Sequence, residues 1–306
     1  MKWLLITSDK CCDEMNSVSE FLKEQNQKPF ILNLSLLDLQ SFYDAEPESS
    51  DGIKEIFDAT HCIIVVSNEE LKNPIMLYIM GYIIGKEIPA FVIGINEIQK
   101  KMEHFKHFSC YDSVESLVSS VRNKFPEYII AENRKIAHKK LFDKGIPFTP
   151  DYFSVHVAQN NIETCNLFLE AGMDVNVCDS AGTPMLCVAA RSGKKEMIEW
   201  LVSKGADIDV VSKDRGYSPV MDAVWKSSLE IVDILIKLGA NLNFVSNDGQ
   251  TALILATGAS NPRICELLVR NGADPLFKDR MGMSSLDYAK LFKKELLVNL
   301  YQECLK

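Results

Sequence analysis

The segment GYSPVMDAVWKSSLEIVDILIKLGANLN (216–243) has the same layout as the segments on either side of it. AGTPMLCVAARSGKKEMIEWLVSKGADID (181–209) precedes it, and GQTALILATGASNPRICELLVRNGADP (249–275) follows it. One series of glycines recurs at intervals of 33 or 34 residues, at Gly172, Gly205, Gly239 and Gly272. A period of this length indicates a stack of small helical units, each of which buries its apolar face against its neighbours.

Two helices are predicted in each unit. Ser218 and Thr251 precede the first helix, where their hydroxyls are placed to cap free backbone amides. A small residue within that helix, such as Ala223, allows neighbouring units to approach closely. The second helix has apolar residues at helical spacing and ends at a glycine in the left-handed conformation, such as Gly239.

These segments resemble ankyrin repeats. We count five units, the last a degraded cap, at about 148–181, 182–215, 216–248, 249–281 and 282–306. The resemblance implies a helical solenoid over 148–306 that binds another protein through its concave face. It places the variable, partner-binding positions on the hairpin tips and on the first helices.

The types of residue at these variable positions suggest where a partner protein binds. Trp, Tyr and Arg side chains carry much of the binding energy in protein interfaces. The predicted protein-binding residues are Arg191, Arg215, Tyr217, Trp225, Lys226, Asn247 and Gln250. The alternative for Trp225 is a packing role, against a neighbouring unit or against the first domain.

The first 125 residues follow another pattern, in which short apolar runs alternate with helical segments. This alternation predicts β-α-β units around a parallel sheet. Strands are predicted at 3–6, 30–34, 62–66, 90–93 and 107–111, and helices near 12–25, 51–60, 73–86 and 113–125. The predicted fold class is α/β plus all-α, with a flavodoxin-like domain of strand order 2-1-3-4-5 followed by the helical solenoid.

A segment at 126–147 joins the two halves. Within it, PEYIIAENRKIAHKKLFDKG (126–145) starts with Pro, ends with Gly and carries apolar residues at helical spacing. It lacks the Ser, Gly and Pro content of a flexible tether. We therefore predict a packed linker helix between a domain at 1–125 and one at 148–306.

Ligands of flavodoxin-like sheets bind at the carboxyl ends of the strands. The candidate ligand-binding residues at these ends are Ser8, Asp9, Ser67, Asn68, Glu69 and Gly94. Polar residues at strand ends also cap the following helices, so capping by Asp9 or Asp13, and by Asn73, is the alternative. The sequence leaves open whether a small nucleotide-like ligand binds here.

The stretch SNEELKNPIMLYIMGYIIGKEIPAFVIG (67–94) resembles nucleoside deoxyribosyltransferase-like and Toll/interleukin-1-receptor-like domains, through Gly81-Tyr82 and Gly85-Lys86. Enzymes of both families use a glutamate on this helix to act on an N-glycosidic bond. Ile79 stands at the matching position here, so we expect a non-catalytic docking or ligand-sensing domain. The alternative is an NAD glycohydrolase or nucleoside deoxyribosyltransferase-like enzyme that the repeats target, with Glu69 or Glu70 as its carboxylate.

The amino-acid composition argues against several classes of partner and of binding site. Lys and Arg number 33 against 42 Asp and Glu, a net charge of −9 that argues against nucleic-acid binding. The apolar stretches are too short to insert in a membrane, and a signal peptide is not apparent, so we expect a cytoplasmic protein.

The nine cysteines are expected to be buried free thiols. Glu103-His104-x-x-His107 offers too few ligands for zinc, and we predict neither a metal nor a cofactor.

Overall fold

The computed structural model describes residues 1–36, 56–67, 70–93 and 103–305, except for the side chains at 103 and 104. These residues form two compact units, Met1–Glu132 and Asn133–Lys306. The first unit contains both strands and helices, and the second is built of helix pairs.

A parallel sheet of five strands forms the centre of the first unit, in the predicted order β2-β1-β3-β4-β5. The strands are β1 (Trp3–Thr7), β2 (Phe30–Asn33), β3 (His61–Val65), β4 (Ala90–Ile93) and β5 (Ser109–Tyr111). In the register, Leu5 of β1 aligns with Ile31 of β2 and with Ile63 of β3. All residues of β1, β3 and β4 are buried, which is why these strands are continuous apolar runs in the sequence.

Helices cover both faces of the sheet. They are α1 (Cys12–Glu24), α2 (Pro74–Gly85) and α3 (Val114–Asp143), together with a helical turn at 56–58. Trp3 and Leu5 pack in one apolar cluster with α1 and the first part of α3, whereas Leu4 and Ile6 pack in another with α2. Short 3-10 turns occur at Asp9–Cys11, Leu34–Leu36, Glu70–Lys72 and Glu103–His107.

Helix α3 differs from the prediction. The sequence predicts a new helix at Pro126, but one helix runs through this proline. Val121 and Phe125 belong to the core of the first unit, and Ala137 and Leu141 belong to the core of the second. Burial on both sides of Pro126 stabilises the helix despite the backbone hydrogen bond that a proline removes. The division between the units therefore lies within α3, after Glu132 rather than at the predicted 125.

Five helix pairs form the rest of the second unit, as the five predicted repeats require. The pairs are α4 (Pro150–Ala158) with α5 (Ile162–Glu170), α6 (Met185–Arg191) with α7 (Lys195–Ser203), α8 (Pro219–Trp225) with α9 (Leu229–Lys237), α10 (Ala252–Gly258) with α11 (Pro262–Arg270), and α12 (Ser285–Leu291) with α13 (Glu295–Cys304). One apolar core runs through all five pairs. Ala223 and its equivalents Ala189 and Ala256 are completely buried in it, as their small size predicts.

The turns within the helix pairs and the caps of the first helices follow the prediction in part. Asn160 takes a left-handed φ of 62° where Gly193 takes 64° in the next pair. Thr251 caps α10 by accepting a hydrogen bond from the Ile254 amide at 3.3 Å, as predicted. The predicted cap by Ser218 is wrong, because its buried hydroxyl forms no hydrogen bond with the described residues.

A series of hydrogen bonds joins the loops that follow the second helices. In each bond, the side-chain oxygen of an Asn or Asp accepts from a backbone amide of the next loop, at 2.8–2.9 Å. The accepting and donating residues are Asn176 and Asp207, Asp209 and Asn241, and Asn243 and Asp274. We call this series the loop ladder.

The cysteines are all free thiols, as predicted, but their burial varies. Cys62, Cys165, Cys187 and Cys265 are buried, whereas Cys304 is exposed. In the described ranges, no helix is both long enough and apolar enough to cross a membrane.

Candidate functional site

The carboxyl edge of the sheet brings two of the predicted ligand-binding residues close to one glutamate. Ser8 follows β1 and is fully buried. Glu70 accepts hydrogen bonds at Oε2 from the amide and the hydroxyl of Ser67, at 2.8 and 2.9 Å. Partial burial raises the pKa of Glu70, but the nearby Ser8 hydroxyl, the hydrogen bonds from Ser67 and the charge of Lys10 hold it below its ordinary value. Glu70 thus stabilises the turn after β3. Asn68, Glu69 and Gly94 lie outside the described residues.

Asp9, another predicted ligand-binding residue, has a local structural role. The Asn33 side-chain amide donates to Oδ1 of Asp9 at 2.7 Å. Among the described residues, neither Asp9 nor Asp13 accepts a capping hydrogen bond at the start of α1, so the expectation that one of them does so is wrong. The cap predicted for α2 is present, because Asn73 Oδ1 accepts from the Ile75 amide at 2.9 Å.

Ile79, the position that the sequence resemblance matches to a catalytic glutamate, is not accessible in this unit. Ile79 is completely buried and belongs to the same apolar cluster as Ile64 of the sheet. A side chain here faces the core, where a carboxylate would be strongly destabilising. In the part of the chain that the structure describes, no three His, Cys, Asp or Glu side chains are grouped to hold a metal ion.

In the second unit, the predicted protein-binding residues lie on a surface formed by two kinds of element. One is the ends of the first helices, and the other is the loop before each first helix, here called a finger. In the 212–217 finger, the Ser212 amide donates to the Tyr217 carbonyl at 3.0 Å. We call the surface made by the fingers and the first-helix ends the finger face.

Successive fingers contact each other closely. The Lys213 amide donates to the Gly182 carbonyl of the preceding finger at 3.0 Å. At Gly216, which has a left-handed φ of 67°, an added Cβ would lie 2.4 Å from Cγ of Asn247 in the next finger. Glycine is therefore required at Gly216 both by its conformation and by the space available.

Arg191 was predicted to be a protein-binding residue, but it is engaged within the array. One of its terminal nitrogens donates to Oδ1 of Asp214 at 3.0 Å, and its Nε lies 2.9 Å from Oδ1 of Asp222. The Asp222 side chain is only 1% exposed, and that of Arg191 is 24% exposed. Because both carboxylates hold its guanidinium, Arg191 is a structural residue and not a free contact for a partner.

These charges shift the pKa values of both carboxyl groups. Burial raises the pKa of Asp222, and the attraction of Arg191 does not cancel this effect. Partial burial also acts to raise the pKa of Asp214, but hydrogen bonds from Arg191 and Ser212 outweigh it and hold the pKa at about 2. Asp214 is therefore the strong partner of Arg191, whereas Asp222 is costly to keep ionised.

Tyr217 and Trp225, predicted to be neighbouring anchors, differ in their exposure. Tyr217 is 5% exposed and belongs to the core, which corrects its assignment as a partner contact. Trp225 is 56% exposed and is therefore not buried against a neighbouring repeat. The Arg215 guanidinium lies 5.1 Å from the centroid of the indole, within the range of a cation–π interaction. The Tyr217 ring is tilted by 58° to the indole, and the two ring centroids are 6.4 Å apart.

A groove of about 460 Å³ opens beside Trp225. Its lining consists of Trp225, Gln250, Ile254, Leu255, Gly258 and Ala259. Gly258 occupies the position on α10 that Trp225 occupies on α8, and an added Cβ there would meet nothing within 4 Å. The absence of a side chain at Gly258 thus leaves room beside the indole.

The remaining predicted residues lie at different places on the finger face. Lys226 and Asn247 are exposed, whereas Gln250 is half-buried in the lining of the groove. Sequence reasoning missed Ile254 and Leu255 as groove residues, because a helical pattern of apolar residues indicates core. The signal that could have identified the groove is the exchange of Trp225 for Gly258 at equivalent positions of consecutive units.

Comparison with protein families identifies the array. A model of three ankyrin repeats matches residues 153–246, and a single ankyrin repeat matches residues 248–280. These matches cover the second, third and fourth helix pairs and most of the first. Ankyrin repeats generally mediate protein–protein interactions.

Individual proteins show the same relationship. The chain is 37% identical over 107 residues to the B-cell lymphoma 3 protein homolog of Mus musculus, which covers 35% of this chain and 24% of that protein. It is 34% identical over 111 residues to ankyrin repeat and SOCS box protein 3 of Homo sapiens, covering 35% of this chain and 20% of that protein.

A relative from Treponema pallidum (strain Nichols) matches over a much longer stretch. This ankyrin repeat-containing protein is 30% identical over 261 residues, which cover 85% of this chain and 87% of the relative. The matched length exceeds that of the whole second unit, so the similarity extends into the α/β unit. On this similarity and on the repeats themselves, the chain belongs to the family of ankyrin repeat-containing proteins.

Proposed function

We propose that this chain is an adaptor that binds a partner protein through the concave face of its ankyrin repeats, with Trp225 as the central contact. The observation that carries this proposal is the 56% exposure of Trp225 at the edge of an open groove. Removing such a large apolar surface from water is favourable, and a partner would supply the burial. Tryptophan is also among the residue types most enriched at the strongest contacts of protein interfaces.

The surroundings of Trp225 favour binding because they restrict the indole before a partner arrives. The Arg215 guanidinium lies over the ring, and the buried Tyr217 ring lies beside it, with the two ring centroids 6.4 Å apart. An anchor that is already ordered loses less conformational entropy on association than a mobile one. Lys226, Asn247 and Gln250 add polar groups around this anchor, the arrangement expected at the rim of an interface.

We assign the α/β unit a docking or ligand-sensing role without catalysis. Ile79 has no carboxylate and is buried in the core, and the carboxylate of Glu70 accepts two hydrogen bonds from Ser67. Neither residue therefore provides a free carboxylate for chemistry on a glycosidic bond. A flavodoxin-like assignment, which the strand order supports, would place a small ligand at the carboxyl edge near Ser8 and Ser67. A nucleotide-like molecule is the ligand class to test first, by the shift in unfolding temperature that it produces.

The free thiols of the cysteines favour a reducing compartment for this adaptor. All nine are free thiols, including the exposed Cys304. Free thiols are typical of reducing compartments, and we therefore place the protein in the cytoplasm.

Capture of partners with the full chain tests the proposed binding face. Immobilised wild-type protein, Trp225→Ala and the control Leu296→Ala are incubated with lysate of the source cells, and retained proteins are identified by mass spectrometry. Leu296 is an exposed apolar residue on α13, a second helix, and serves as the matched control. We expect at least one protein that wild type and Leu296→Ala retain and Trp225→Ala does not. A captured set that is identical for all three proteins would contradict the proposal.

A further inference from the structure

The charge around Trp225 is opposite to that of the whole chain, which carries a net charge of −9. Arg215 lies over the indole, Lys226 follows it directly in the sequence, and Lys213 is part of the same finger as Arg215. All three side chains are exposed. Within the described part of the chain, none of the three forms an ion pair. Their positive charge is therefore available to a partner.

The acidic groups near this site are mostly engaged elsewhere. Arg191 holds both Asp214 and Asp222. Asp248, on the next finger, is exposed and influences the pKa of Tyr217 from there. One guanidinium balances only one of the two carboxylates that it holds, so with Asp248 two negative charges stand against the three unpaired cations. The surface around the indole therefore carries a small net positive charge.

The groove beside the indole is mainly apolar. Ile254 and Leu255 form part of its wall, and Gly258 and Ala259 leave its centre open. Gln250 is the polar side chain in its lining. A groove of this composition accepts a large apolar side chain better than a charged one, because the neutral amide of Gln250 would compensate only a small part of the desolvation of a charge.

We infer that the partner presents a segment in which one bulky apolar side chain is flanked by Asp or Glu. This inference rests on the proposed binding function and adds the chemistry of the partner. The apolar side chain fills the groove against Trp225, and the flanking carboxylates pair with Arg215 and Lys226. Charge complementarity of this kind selects between partners and accelerates their association.

Two pools of synthetic peptides test the inferred chemistry. Each peptide has a central Trp, Phe, Leu or Met, flanked by Asp and Glu in the acidic pool and by Lys and Arg in the basic pool. Fluorescent peptides are titrated into wild type, Trp225→Ala and the double variant Arg215→Glu/Lys226→Glu. The control is Lys195→Glu/Lys204→Glu, which reverses two exposed charges on and just after α7.

We expect wild type and the control to bind the acidic pool at least about tenfold more tightly than the basic pool. Trp225→Ala should lose this binding, the double variant should prefer the basic pool, and added salt should weaken acidic binding to wild type. Equal binding of both pools through Trp225 would overturn the inferred chemistry and leave the proposed binding face intact. Absence of any binding that depends on Trp225 would also overturn it, and the lysate experiment then decides the proposed function separately.

Discussion

The Nε atom of Arg191 on α6 lies 2.9 Å from Oδ1 of Asp222 on α8, and this ion pair links two consecutive repeats at a buried position. Among the described residues, neither carboxylate oxygen of Asp222 takes part in a well-aligned hydrogen bond. The pair therefore combines a high desolvation cost with incomplete compensation. Removal of one member of the pair should therefore destabilise the fold more than replacement of both members by apolar residues.

Arg191→Met should reduce the free energy of unfolding by about 3–5 kcal/mol, because it leaves the Asp222 carboxylate buried without a counter-charge. Arg191→Met/Asp222→Leu should restore most of that loss, since an apolar pair of similar size needs no desolvated charge. Leucine is the residue at the equivalent position of the next repeat, Leu255. Urea unfolding of the full chain measures both effects. A double variant as unstable as the single one would contradict this account.

Asp214 should make the stability of the array depend on acid. Its pKa is about 2 in the folded chain, below the ordinary value of 3.8, so it contributes stability that is present above pH 4 and is lost as the pH falls through 2. Asp214→Asn should be less stable than wild type at neutral pH, and the difference should close as the pH approaches 2. Thermal unfolding across this range measures the effect, with Asp248→Asn, on the next finger, as the control. A difference that is independent of pH would argue against the Arg191 contact as its source.

Trp225→Ala and Tyr217→Ala should separate binding from stability. Trp225 is more than half exposed, so its truncation should change the free energy of unfolding by less than about 1 kcal/mol. Tyr217 is buried, and its truncation should cost about 3 kcal/mol. Chemical unfolding followed by circular dichroism distinguishes these outcomes. Large destabilisation by Trp225→Ala would show that the indole is a packing residue and would remove it as the proposed anchor.

Gly216→Ala and Gly193→Ala form a matched pair, because both glycines have a left-handed φ, 67° and 64°. An alanine at 193 should cost about 1–2 kcal/mol for its conformation alone, since open space surrounds its Cβ. At 216 the Cβ also collides with Asn247, which should add about 1–3 kcal/mol. Equal losses in urea unfolding would indicate that the fingers move apart freely.

The chain should not act on N-glycosidic bonds. Purified protein is expected neither to release nicotinamide from NAD nor to exchange bases between deoxynucleosides, because Ile79 is buried and Glu70 is tied to Ser67. Mass spectrometry of the reaction mixtures measures both reactions. Turnover by wild type that Glu70→Gln abolishes would identify Glu70 as the missing carboxylate and reverse the assignment.

The parts of the fold that depend on backbone conformation and on short runs of residues could be predicted from the sequence. The glycine period follows from backbone conformations that other residues adopt only with strain, and the buried strands follow from unbroken apolar runs. The path through Pro126 could not be predicted in this way, since the helix is stabilised by burial of residues on both sides of the proline, such as Phe125 and Ala137.

In the candidate site, too, some features follow from residue type and others depend on contacts between distant residues. Residue type and position in the repeat predicted Trp225 as a partner contact; its side chain is exposed on the finger face, and the contact itself stays a prediction. The engagement of Arg191 depends on Asp214 and Asp222, which lie in the next repeat, and no local pattern reveals this pairing. Tyr217 and Trp225 are similar in chemistry, but only the packing of the 212–217 finger decides which of them is buried.

The loop ladder has a consequence for how chains of this family change in length. Each accepting side chain lies 31 or 32 residues before the amide that it binds. Insertion of a few residues within a helix would turn the rest of that helix and displace the loop after it, which would break the ladder bond across that repeat, whereas gain or loss of a complete repeat would restore the same pairs. We therefore expect related arrays to differ by whole repeats, and shorter insertions to be accepted at the finger tips, which can extend outward without displacing the helices or the loops of the ladder.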